Sequence, residues 1–141
     1  MAKDIPTLSA EHTAPWTYTV NNGRGAEIKI GMEGAAGCFS PIELLQAALA
    51  GCAALSGEAQ LTNRLGEDFT MTSSVEVVYN AEENRIEQLI NHILADFSEL
   101  EPERQEKLIA STERSISTLC TIKRSLNHGI ESTTEVSGQS H

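Results

Sequence analysis

Apolar positions along this chain run first with a period of two, then with a helical period, then with two again, and each change marks an element. Trp16, Tyr18 and Val20 alternate with Thr17 and Thr19, and Ala26, Ile28 and Ile30 alternate with Glu27 and Lys29. Between them stands Asn21-Asn22-Gly23-Arg24-Gly25, and Asn-Gly accepts the positive φ of a tight turn, so the two runs predict a β-hairpin. The glycine-rich stretch 31–37 lacks the Lys-Ser/Thr pair of a phosphate loop and reads as a flexible lead-in to the next element. That element is SPIELLQAALAGCAALSGEAQLTN, residues 40–63. Ser40 suits the N-cap, Pro41 the first helical position, and Glu43 completes a capping box. Leu44, Leu45, Ala47, Ala48, Leu49, Cys52, Ala53 and Leu55 leave hardly any polar stripe. A helix apolar nearly all round, yet too short to span a membrane, predicts a core helix buried on most sides.

Beyond a turn at 63–68, Phe69, Met71, Val75, Val77 and Tyr79 recur at alternate positions, with Ser73 on the same face, as in a half-buried strand. A polar turn at 80–84 follows. Leu89, Ile93, Ala95 and Phe97 share a period of two and predict a partner strand over 86–97, although Ile86, Leu89, Ile90 and Ile93 also fit a helix. Pro102 opens a second helix with Leu108, Ile109 and Ile116 on its apolar side. It either continues past Cys120 or breaks and restarts near Ser117. His128-Gly129 stops it, and 130–136 reads as a short closing strand. Residues 1–15 are polar, contain Pro6 and Pro15, and read as a loose N-terminal arm. Without repeats, linkers or low-complexity stretches, the expectation is one α+β domain over 1–141, with helices on one side of antiparallel strands.

Composition narrows the function. The chain has 141 residues and a formal net charge of −10, which repels phosphate backbones and argues against nucleic-acid binding. Lys123-Arg124 is too small a basic patch to change that. No window is apolar and long enough for a bilayer, and Asp4 and Glu11 interrupt the first residues where a signal peptide needs an apolar core. The expectation is a cytoplasmic protein. In a reducing compartment Cys38, Cys52 and Cys120 do not make a disulfide framework; a disulfide there is transient, catalytic or redox-sensing. His12, His92, His128 and His141 show no metal-ligand spacing with the cysteines, so no metal is expected. Cys52, amid small residues on the core helix, is either an inert buried thiol or a thiol held on a rigid element for chemistry.

Two stretches together resemble a known family. SPIELLQAALAGC, carried by Pro41, Glu43, Leu44, Leu45 and Cys52, and CTIKRSL, carried by Cys120, Ile122 and Leu126, resemble the two motifs of the OsmC/Ohr family of thiol peroxidases. The resemblance covers 31–136. It implies an α+β fold of antiparallel sheets against a central helix, two chains intertwined as a homodimer, and active sites at their interface. It also implies reduction of organic hydroperoxides, and in some members hydrogen peroxide, without metal or prosthetic group. A dithiol or lipoylated protein would be the reductant, and the role one of oxidative stress response. On this resemblance Cys52 is the peroxidatic and Cys120 the resolving cysteine.

The family further holds its first cysteine ionised with an arginine and a glutamate, for which Arg24 and Glu43 are the candidates by type. Arg24 lies closer to Cys52 in sequence than the family's arginine does to its cysteine. The family's glutamate aligns with Ile42, one position from Glu43, and one helical position turns a side chain by about 100°. A solvent-facing turn arginine and a capping-box glutamate are the plainer readings of the two. Arg114, Lys123 and Arg124 are further cations, read as exposed helix charges, and Thr121 stands where the family often has proline. Cys38 falls on neither motif and reads as a small residue packed under the helix start. An alternative function stays open: a dimer of the same fold, without efficient peroxidase activity, that binds a small apolar ligand at the interface. A purely structural dimer with inert cysteines fits least well, since two cysteines match two motifs.

Overall fold

A computed structural model describes residues 3–138 and divides the chain into two compact units, one ending at Ala48 and the other beginning at Leu49. His141 lies outside the described residues, as do Met1 and Ala2 of the expected arm.

The first unit holds a sheet of β1 (Ala10–Ala14), β2 (Thr17–Asn21) and β3 (Glu27–Ile30), antiparallel in that order. The expected hairpin is β2–β3, with Val20 opposite Ile28. Its turn is held by the side chains of Asn21 and Asn22. The Asn21 oxygen accepts from the Gly23 N–H at 3.2 Å, and that of Asn22 from Arg24 at 2.8 Å and Ala26 at 3.2 Å. β1 corrects the expectation of a loose arm to Pro15. All five of its residues are exposed, so no alternation of apolar and polar residues announces it. Its pairing rests on the backbone ladder, on a 2.8 Å bond between the Thr13 and Thr19 hydroxyls, and on His12 edge-on to Tyr18 at 5.3 Å.

Stretch 31–39 is likewise tied down rather than loose. The Phe39 N–H donates to the Lys29 carbonyl at 2.8 Å and the Gly31 N–H to the Phe39 carbonyl at 3.0 Å, bridging the stretch to β3. Cys38 is half-buried in this loop, where a Cβ on Gly31 would lie 3.0 Å from its sulfur. Helix α1 (Pro41–Leu65) then starts on the predicted capping box: the Glu43 N–H donates to Ser40 Oγ at 3.1 Å, and the Ser40 N–H to Glu43 Oε1 at 2.8 Å.

In the second unit α1 buries one stripe, Leu49, Ala53, Gly57 and Leu61, at the four-residue spacing of a single helix face. This corrects the expectation of a helix buried on most sides. The chain covers one stripe, and Leu55 remains 73% exposed. β4 (Met71–Asn80) and β5 (Arg85–Ala95) form an antiparallel pair, so β5 is a strand and not a helix. The ambiguity there has a physical cause. Val78 pairs with Gln88 but Tyr79 with Ile86, leaving Glu87 as an extra residue in a bulge. One inserted residue brings Ile86 and Leu89, three apart, onto the same face.

Past β5, the Asp96 carboxylate accepts from the Ser98 N–H at 2.9 Å, and its bonds to Ser98 hold it below its ordinary pKa. The Gln105 amide donates to the Phe97 and Leu100 carbonyls at 3.0 and 2.8 Å, fixing the approach to α2 (Pro102–Leu119). Helix α3 (Thr121–His128) follows immediately and ends at Gly129, whose φ of 96° suits glycine. The closing strand expected over 130–136 does not form. Ile130 and Val136 are 68% and 92% exposed, and among the described residues no strand pairs with this stretch. A strand is stable only with a partner to take its backbone groups.

The core gathers Leu49, Ala53 and Cys120, with Val75, Leu89, Ile93, Ile116, Ile122 and Leu126 packed around them. A Cβ on Gly57 would lie 2.9 Å from Thr112 Cγ2, so α1 and α2 meet there without room for a side chain. Thr112 is β-branched and buried, and has little freedom to move aside. Gly57→Val is expected to destabilise the protein by about 1–3 kcal/mol; urea denaturation of the variant beside the wild type measures it.

Candidate active site

The site grows from a break in a helix. Cys120 leaves the helical region, with φ −74° and ψ 97°, and so closes α2 and opens α3 at one residue. Its N–H makes a last bond to the Ile116 carbonyl at 2.9 Å, and its carbonyl accepts a first one from the Arg124 N–H at 3.0 Å. Its sulfur takes the place of a capping oxygen, accepting from the Lys123 N–H at 3.4 Å. The break therefore falls at Cys120 itself, not near Ser117. Each helix start leaves N–H groups without an intrahelical partner and carries partial positive charge. Here the backbone N–H groups of Ile122 and Thr121 favour the charged form of the Cys52 thiol on α1.

Cys52 is half-buried and Cys120 fully buried. Burial alone would raise the Cys52 thiol. The Ile122 N–H, the Cys120 thiol, the Thr121 N–H and the Ser56 hydroxyl together outweigh it and hold Cys52 below the ordinary thiol pKa. The opposite holds at Cys120. Burial raises it, the Lys123 N–H works against that, and its bond and charge repulsion with Cys52 raise it further. The shifts run in opposite directions, so the first proton to leave the pair leaves Cys52 rather than Cys120.

The other expected residues have partners of their own or stand exposed. Arg24 is exposed in the β2–β3 turn, and Glu43 uses a carboxylate oxygen in the capping box; both belong to the first unit. Lys123 Nζ reaches Ser117 Oγ at 3.5 Å, and Arg124 Nη1 donates to the Thr118 carbonyl at 3.3 Å, so both turn back to the last turn of α2. Arg114 is exposed on α2. Among the described residues no group of three or more His, Cys, Asp and Glu is placed to hold a metal ion. Sequence reasoning missed Ser56 and the free N–H groups of Thr121 and Ile122. The four-residue step from Cys52 to Ser56 was a signal for the first. For the second there was little, because Thr121 lacks the proline that would mark a helix start.

The model of OsmC-like proteins matches residues 34–135, most of the chain and both cysteines of the site. The chain belongs to the OsmC family. Among curated proteins this OsmC-family chain is 30% identical over 129 residues to an uncharacterized protein of Mycobacterium tuberculosis H37Rv, covering 92% of this chain and 94% of the relative. Among solved structures it is similar to an OsmC-like protein from Mycoplasma pneumoniae, with TM-score 0.66, 15% identity and 89% of each chain covered. It is also similar to an organic hydroperoxide resistance protein OsmC from Legionella pneumophila, with TM-score 0.55, 19% identity, and 86% and 90% covered. At these identities the structural likeness speaks to the fold: α+β, antiparallel sheets and helices.

The sign of the two shifts predicts a pH signature. A lowered pKa enlarges the thiolate fraction at any pH below it. Iodoacetamide labelling followed by mass spectrometry should therefore find Cys52 reacting with a midpoint below that of an ordinary thiol, and Cys120 above. Cys120→Ala removes one donor to the thiolate, so the Cys52 midpoint should move up.

Proposed function

We propose that this protein is a cysteine-dependent peroxidase that reduces organic hydroperoxides through a Cys52–Cys120 thiol–disulfide cycle. The observation that carries this reading is the thiolate-favouring hydrogen bonding of Cys52, with Cys120 as one of its donors. Family membership and the hydroperoxide resistance protein among the similar structures support it. The Cys52 thiolate attacks the terminal oxygen of ROOH. The O–O bond breaks, an alcohol leaves with a proton, and Cys52 becomes a sulfenic acid. Cys120, as thiolate, then attacks the Cys52 sulfur; the S–O bond breaks, hydroxide leaves as water, and a disulfide forms. An external dithiol, free or protein-borne, restores both thiols by exchange. The cycle needs no metal or prosthetic group.

The difference in exposure supports the assignment of roles. Half-exposed Cys52 can meet a peroxide, whereas Cys120, 0% exposed, meets the sulfenic acid. No helix among the described residues is long and apolar enough to cross a membrane, and we place the activity in the cytoplasm, where thiols stay reduced.

Stoichiometric organic hydroperoxide should yield a Cys52–Cys120 disulfide, seen in peptide maps and reversed by a dithiol. Cys52→Ser should abolish peroxide consumption, and Cys120→Ser should allow one turnover and trap oxidised Cys52. Cys38→Ser should leave turnover nearly intact. Full turnover by Cys52→Ser would overturn the reading.

The reading includes a homodimer. Leu55 at 73% exposure, with exposed Ala47, Ala48, Gly51 and Ala59, forms an apolar side of α1 that this chain leaves uncovered. Sedimentation at micromolar concentration should show a dimer, and a stable folded monomer would count against it.

A further inference from the structure

A cavity of about 840 Å³ opens along α3 in the second unit. Its lining runs from Ser117, in the last turn of α2, along α3 to Gly129, Ile130 and Glu131. Neither Cys52 nor Cys120 lines it, so the two thiols do not account for it. Thr121, Arg124, Ser125 and His128 recur at the spacing of one helix face, and all four line the cavity. Ile122 and Leu126 pack instead against the core cluster. Gly129, at φ 96°, turns the chain off the helix, and Ile130 and Glu131 supply the wall beyond it.

The charge of this lining runs against that of the chain. The chain carries 10 Lys and Arg against 20 Asp and Glu, whereas the lining sets Lys123, Arg124 and His128 against Glu131 alone. Two of the cationic heads also converge. Lys123 Nζ lies 3.5 Å from Ser117 Oγ and Arg124 Nη1 3.3 Å from the Thr118 carbonyl oxygen, on consecutive residues of one turn. Among the described residues neither cation has an ion-pair partner. Capping of α2 explains the bond to Thr118 but leaves most of the hydrogen-bonding capacity unused, since a guanidinium has five donors and an ammonium three. Two like charges brought together on neutral partners repel, and an anion placed between them removes that cost.

We propose that this cavity binds a small organic phosphate, its phosphoryl group held by Lys123 and Arg124 with the Thr121 and Ser125 hydroxyls. A carboxylate presents two oxygens and one charge. A phosphate monoester presents three strong acceptor oxygens and close to two charges, the better match to two cations and two hydroxyls. The arginine fork suits a phosphoryl group by its planar, paired donors. The cavity has the volume of a small-molecule site, so it leaves room for the organic part of the ligand beside the phosphoryl group. The inference goes beyond the peroxidase reading and does not depend on it.

The test titrates isotope-labelled protein with glycerol phosphate, inorganic phosphate and acetate at low ionic strength and constant pH, reading backbone amide shifts by NMR. Glycerol phosphate should give saturable shifts centred on Ser117 and on 121–131, with inorganic phosphate weaker and acetate weakest. The double variant Lys123→Gln, Arg124→Gln should weaken glycerol phosphate by about tenfold or more, the loss of two charge-assisted bonds. Shifts that fail to saturate, that scatter over other cations such as Arg64 and Arg104, or that persist unchanged in the double variant would overturn the proposal. Acetate binding as tightly as glycerol phosphate would overturn the assignment to a phosphate. Should the double variant fail to fold, the wild-type shift map decides alone, and shifts centred away from α3 would refute the site.

Discussion

The surroundings of Cys52 depend on one residue adopting a non-helical ψ. By leaving the helix at Cys120, the chain exposes a new helix start inside its own core and points otherwise unpaired N–H groups at a sulfur on another helix. Had α2 continued unbroken, those N–H groups would bond to carbonyls four residues earlier and offer nothing to Cys52. Helix capping, usually a matter of stability, here also lowers the pKa of a thiol. A fixed backbone dipole carries no desolvation penalty of its own comparable to that of a full charge.

Much of this was legible in the sequence, and the parts that were not share a cause. Ser40, Pro41 and Glu43 announce the start of α1 because capping is local, and the structure shows both reciprocal bonds. Asn22 and Gly23 announce the β2–β3 turn for the same reason. β1 was missed because an edge strand exposed on every residue carries no apolar rhythm. The strand foreseen at 130–136 has no partner among the described residues, and a local reading says nothing about partners. Cys52 and Cys120 were singled out through paired motifs. What joins them physically was not, because a break at Cys-Thr leaves no proline or glycine to mark it.

The pair is also asymmetric in a way that burial explains. Both sulfurs are in low-dielectric surroundings, which disfavours two negative charges in close proximity. The one that collects more donors has its pKa lowered, and the other has its pKa raised. Opposite pKa shifts of two chemically identical groups thus follow from where each stands relative to the start of α3.

The bulge at Glu87 bears on how the length of this protein can vary. On either side of it β4 and β5 pair in regular register, and the inserted residue alone shifts the phase. Deleting Glu87 would return the hairpin to an unbroken ladder at the turn end and leave the core-facing residues from Leu89 onward untouched. Deleting a residue between Leu89 and Ile93 would instead turn one flank of the strand inside out, exposing apolar side chains and drawing polar ones inward. A gap in a related sequence is therefore tolerable at one point of this strand and ruinous a few residues away.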